Sequence, residues 1–174
     1  AIATLFAGAA SARTIHPQLA PTVSAAYEIG PTTSEDPPFR KWGDRILGTG
    51  ASVTYSFMPS GKRVEDEKIS VALSDFMPTG YKAEIVAAFD AWQNVADITF
   101  SEVTDPGVHW NEAKAYDSDI RIAGHIFDTD GVLAHAYYPP PNGGAPAGDL
   151  HFNSEATWKI GFGGSGVDLF QVEA

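Results

Sequence analysis

A chain of 174 residues with 44% hydrophobic residues and four tryptophans is long enough to bury a core and too apolar to be disordered over most of its length. Its formal net charge of −11 opposes binding to nucleic acid or anionic lipid and favours cations as partners. The lack of cysteine excludes disulfides, thiolate metal sites and thiol nucleophiles, so any zinc must be held by His, Asp or Glu.

Residues 1–50 are rich in Ala, Pro, Thr and Gly with no sustained period, and read as an N-terminal extension or linker, either a pro-segment or an assembly arm. The opening AIATLFAGAASAR reads either as the tail of a secretory signal or as an ordinary apolar segment, and is too short to span a bilayer. Pro37 and Pro38 block regular structure in PTTSEDPPFRKWGD. Residues 51–57, ASVTYSF, alternate and are rich in β-formers, which predicts a strand. Residues 60–80 carry charge and turn residues and are expected to wrap the surface. The spacing of Ile85, Ala88, Phe89, Trp92 and Val95 predicts a helix over 81–95 with one apolar face. Further strands are predicted at 97–103, 119–123, 132–138 and 149–152, then a flexible loop at 161–166 and the start of a short helix at Val167. A strand, a helix and then several strands imply an α+β or α/β sheet with a helix on one face.

The stretch from Ser118 to Trp158 holds three of the five histidines and five carboxylates. Imidazole and carboxylate donors concentrated in this way suit a divalent metal. On the predicted strand 132–138, Leu133 and His135 share one face and Ala134 and Ala136 the other; on 149–152, Asp149 and His151 share a face. If the two strands are neighbours, His135 and His151 converge on one ion, and His125 with Asp128 or Asp130 can close a tetrahedron. Asp128-Thr129-Asp130-Gly131 also has the form of half a calcium loop, although a plain polar turn fits the same residues. Asn153 and Glu155 can add oxygens there. Backbone carbonyls between Asn142 and Gly148, with Asp119 and Asp149, offer a second cation site. No GxSxG and no GxxxxGK[ST] pattern occurs, which removes the common hydrolase elbow and phosphate loop from consideration.

DIRIAGHIFDTDGVLAHAYYPP and GDLHFNSEATW resemble the structural zinc- and calcium-binding segment of the matrixin-type metzincins. VTYSF, AFDAWQNVADITFSEV and LFQVEA are similar to the family's first strand, its first helix with the second strand, and the approach to its active-site helix. The resemblance covers residues 51–174. It implies the N-terminal part of a catalytic domain: an α+β fold with a twisted, mostly parallel five-stranded sheet, an antiparallel edge strand and one long helix. It further implies a secreted zinc endopeptidase acting on peptide or protein substrates, with Leu133, Ala134 and Ala136 along the edge that binds extended peptide. The implied structural zinc ligands are His125, Asp128, Asp130, His135 and His151. The implied calcium ligands are Asp128, Gly131, Asn153 and Glu155 at one site, and Asp119 and Asp149 at another. The family's catalytic HExxHxxGxxH does not occur in the 174 residues, so the chain alone is expected to be inactive and to be cut short before that helix. Two readings follow. One is part of a zinc endopeptidase; the other is a non-catalytic, cation-dependent binding module that forms homo-oligomers or filaments through exposed edges. Neither involves nucleic acid or a membrane.

Overall fold

The computed structural model describes residues 41–140, except 45 and 47, and residues 145–170. The expectations for residues 1–40, for the carbonyls of 142–144 and for a helix continuing through 171–174 lie outside the described residues. In chain order the elements are β1 (Ala51–Phe57), β2 (Arg63–Glu65), β3 (Lys68–Ile69), α1 (Tyr81–Gln93), β4 (Ile98–Glu102), β5 (Ile120–His125), β6 (Ala134–Ala136), β7 (Leu150–Asn153), β8 (Trp158–Lys159) and β9 (Val167–Asp168).

Five strands form one sheet in the order β4-β1-β5-β7-β6. The first four run parallel, and β6 runs antiparallel to β7 at the edge. With the single helix, this is the expected α+β arrangement. Strand alternation divides the sheet into two unlike faces. Val53 and Tyr55 of β1, Ile120 and Ile122 of β5, and Phe152 of β7 point into the main core with Ile85 of α1. Phe89 of α1 stacks between Phe100 and Tyr55, with ring centroids 4.5 and 4.6 Å apart. The opposite face carries Ser56, Arg121, His125 and His151, all buried. Met58, Val64 and Ala123 form a small apolar cluster among them.

Cover for this polar face comes from a segment expected only to wrap the surface. Residues 60–71 fold into the β2–β3 hairpin, with a register shift between Arg63 and Glu65. The hairpin is anchored by Val64, which is fully buried, and by a bridge from Val71 to Gly124 of β5.

Two other expectations change. The helix ends at Gln93, and of its predicted apolar face only Ile85 and Ala88 are buried. Trp92 and Val95 remain 52% and 78% exposed: Val95 lies past the helix end, and Trp92 lines an apolar cavity of about 710 Å³ that also borders Ile98, Phe100 and Ile120 of the sheet. Val167 and Asp168 form a short strand paired in parallel with Trp158 and Lys159, and the predicted helix starts two residues later, at Leu169; two apolar positions three apart do not fix a helix start over so short a run.

Candidate metal centre

His135 and His151 stand directly opposite each other in the β6–β7 register. A facing pair in an antiparallel ladder brings side chains on the same face together. His125 ends β5, the other neighbour of β7, opposite Asn153 and so two residues along from His151. The three rings meet with centroids 4.9–5.3 Å apart. The fourth member is Glu65, at the end of β2. One donor atom from each of Glu65, His125, His135 and His151 lies within 4.8 Å of the other three.

The contacts within the group have a consistent sense. His125 donates its Nδ1–H to the carbonyl of Ile126 at 2.9 Å, which leaves Nε2 as the ring nitrogen that faces the cluster. That Nε2 is buried without a hydrogen-bond partner among the described residues and lies 3.5 Å from Glu65 Oε1. His135 Nε2 lies 3.6 Å from Glu65 Oε2 and 2.8 Å from His151 Nδ1. Zinc–nitrogen bonds of about 2.0–2.1 Å in a tetrahedron put neighbouring donors about 3.3 Å apart. The His135–His151 separation of 2.8 Å and the Glu65 separations of 3.5 and 3.6 Å, one to each carboxylate oxygen, lie near that edge. The donor set of three imidazoles and one carboxylate also suits zinc without sulfur.

Protonation states agree. Burial pushes the His135 imidazole below its ordinary value of 6.5; the Glu65 charge opposes this and His125 adds to it. Burial, and then the neighbouring His135, His125 and Arg121, hold His151 well below the same value. Both rings are therefore neutral at pH 7, the form that ligates a metal.

The structure brings together the three predicted histidines but neither predicted aspartate. The Asp128 side chain is 84% exposed and pairs with Lys68, and Asp130 is exposed. Glu65 was missed in the sequence reading because nothing in VEDEK distinguishes a ligand from a charged turn.

Among the residues considered for calcium, Gly131 adopts φ 81° and turns the chain after Asp130. Asn153 donates its amide to the carbonyl of Val132 and accepts from the N–H of Glu155. Asp119 accepts from the backbone N–H and the hydroxyl of Thr54, both at 2.8 Å. Asp149 is buried and accepts from the Arg121 backbone N–H at 2.8 Å. Burial pushes its carboxyl up to about 8, against the Arg121 hydrogen bond and guanidinium. Gly148, at φ 89°, lies close to the carbonyl of Asp119, so the 119 and 148–149 segments are adjacent. At the edge, Ala134 and Ala136 belong to β6 and Leu133 packs partly buried against the core just before it. Among the described residues no helix is long and apolar enough to cross a membrane.

Comparison with known proteins places this geometry in a family. The matrixin (peptidase M10) family model matches residues 49–174. Karilysin of Tannerella forsythia is 38% identical over 96 residues, covering 52% of this chain and 19% of its own length. Human matrix metalloproteinase-16 is 34% identical over 125 residues, covering 65% of this chain and 20% of its own. The hatching enzyme of Paracentrotus lividus is 35% identical over 131 residues, covering 70% of this chain and 18% of its own. The chain thus spans about a fifth of the length of these relatives. With the sheet and its antiparallel edge strand in agreement, the chain belongs to the matrixin family of metallopeptidases.

Proposed function

We propose that this chain supplies the metal-braced sheet and the peptide-docking edge of a secreted, zinc-dependent endopeptidase. The observation that supports this best is the convergence of His125, His135 and His151 immediately behind β6, the antiparallel edge strand, in a chain of the matrixin family. These three imidazoles and one carboxylate would hold a structural zinc. With four protein donors such a centre is closed, so the ion supplies a cross-link between strands and no activated water.

The chemistry of this chain is binding and orientation. An extended peptide added to the open side of β6 would take main-chain hydrogen bonds from that strand, beside Leu133, Ala134 and Ala136. Strand addition holds the peptide straight and fixes which bond is presented for cleavage. No residue among the 174 is assigned to attack on the peptide carbonyl. Calcium would bind at Asp128, Gly131, Asn153 and Glu155, and at Asp119 and Asp149; such oxygen-rich sites suit a calcium-rich exterior.

Two experiments test the reading. Titration of the isotope-labelled, zinc-loaded chain with an extended peptide should shift the amide resonances of residues 133–136 before any others. Shifts confined to other regions would overturn the docking edge. Reading the encoding gene beyond Ala174 should show an HExxHxxGxxH segment; an unrelated continuation would overturn the endopeptidase assignment and leave a binding module.

A further inference from the structure

We infer that Glu65 is the fourth ligand of the zinc centre and that Tyr137 is its positioning residue, so that the ion clasps the β2–β3 hairpin to the sheet. This rests on the zinc reading above and departs from the sequence expectation of an aspartate from the 125–135 loop. Three observations carry it.

First, the Glu65 carboxylate spans the cluster. Its two oxygens face different histidines, Oε1 toward His125 Nε2 and Oε2 toward His135 Nε2. No other carboxylate joins the group among the described residues. Second, its conformation is held from outside the cluster. The hydroxyl of Tyr137, two residues beyond His135 on the strand side, donates to Glu65 Oε2. A phenol on a ligating carboxylate sets its orientation as an outer-shell partner. Third, the aspartate alternatives are turned away, Asp128 being drawn to Lys68 at the surface.

The consequence is mechanical. Three ligands come from β5, β6 and β7, which the sheet already joins. The fourth comes from a hairpin outside that sheet, joined to it by the Val71–Gly124 bridge, so the bound ion adds a second tie between the two. Glu65 is not the hairpin's only tether. Val64 is buried, Arg63 N–H donates to His109 Nδ1, and the carbonyl of Arg63 accepts from Trp110 N–H. Substitution at Glu65 should therefore leave the chain folded.

The full chain, stripped and reloaded with cobalt(II) as a visible probe of zinc sites, tests the assignment. Wild type should take up one equivalent and show the intense absorption of a four-coordinate ion. Glu65→Gln and Glu65→Ala should shift that spectrum and weaken metal affinity by more than the about 10–100-fold carried by outer-shell groups. Tyr137→Phe should keep the spectrum and cost about tenfold. Metal should slow amide exchange at residues 63–69 in wild type and not in Glu65→Gln, with 150–153 protected by metal in both. Unchanged spectrum and affinity in both Glu65 variants, or their loss in Asp128→Ala or Asp130→Ala, would overturn the Glu65 assignment while keeping the zinc centre. No uptake by wild type would overturn the zinc reading itself.

Discussion

Arg121 and His151 project from neighbouring strands onto the same buried face of the sheet, and the groups around them are satisfied in different ways. Arg121 is fully buried and meets Asp105 through Nε and Nη2, both at 2.9 Å, with Nη2 also donating to the carbonyl of Val108. Asp105 accepts further from Ser56 Oγ and from Gly107 N–H. Opposite charges thus neutralise each other within the chain. Around His151 three imidazoles and one carboxylate gather, and His125 Nε2 and His151 Nε2 stay buried without a hydrogen-bond partner among the described residues, as does Arg121 Nη1 in the first cluster. The difference teaches which buried polar cluster suits an ion: the one that gathers imidazoles and a carboxylate within 4.8 Å of one another with no Lys or Arg among them.

The sharpest way to break the comparison is to remove the internal counter-charge. Asp105→Ala leaves the Arg121 guanidinium buried and unpaired, which should cost about 3–5 kcal/mol of stability in chemical denaturation. The loss should be equal with and without zinc. A cost under about 1 kcal/mol would show that the pair is solvated. Acid should reproduce part of this loss. Burial raises the Asp105 pKa, but the Arg121 and Gly107 hydrogen bonds, the guanidinium charge and Ser56 outweigh it and hold the carboxyl below its ordinary value of 3.8. A folded-state value below the unfolded one means that the contribution is complete above about pH 4 and fades as the pH falls through the folded value. Asp105→Asn should flatten that acid limb of the stability curve; an unaltered limb would assign it to other carboxylates.

The second cluster should respond to the opposite treatment. Zinc at 100 times its dissociation constant should stabilise the stripped chain by about 2.7 kcal/mol. For a chain of this size that raises Tm by roughly 5–11 °C. His135→Ala and His151→Ala should abolish the shift, whereas Asp105→Ala should keep it despite a lower starting Tm. A zinc shift that survives loss of either histidine would place the ion elsewhere.

Much of this contrast was legible in the sequence, and the missing part has a physical reason. Strands β1, β4, β5 and β7 carry enough alternating residues to declare themselves. Alternation alone put His135 and His151 on matching faces, leaving only strand adjacency to be supplied by the structure. The β2–β3 hairpin has strands of three and two residues among charges, RVE and KI, too short for any period to appear. Glu65 was hidden with it. A ligand contributed by a remote hairpin has no spacing relation to the histidines it joins, so sequence proximity favoured Asp128 and Asp130 instead. Arg121 was passed over because one charge within IRIAGH does not disturb the strand pattern, and its partner Asp105 lies in a loop.

The smallest expected effect concerns the acid that proximity favoured. Asp128 is exposed and paired only with Lys68 at the surface, where such pairs contribute about 0–1 kcal/mol. Without calcium, Asp128→Ala should change stability within that range and leave zinc uptake intact. Added calcium should raise the Tm of wild type by mass action and raise that of Asp128→Ala less, if this carboxylate leaves Lys68 to join Gly131, Asn153 and Glu155 around an ion. An equal calcium shift in both chains would remove Asp128 from the proposed calcium site. The measurement therefore divides the two roles that one short DTDG segment suggested: the zinc role is tested by the cobalt spectrum, the calcium role by this Tm difference, and an exposed carboxylate can serve the second without contributing to the first because hard cations accept flexible oxygen ligands at the surface.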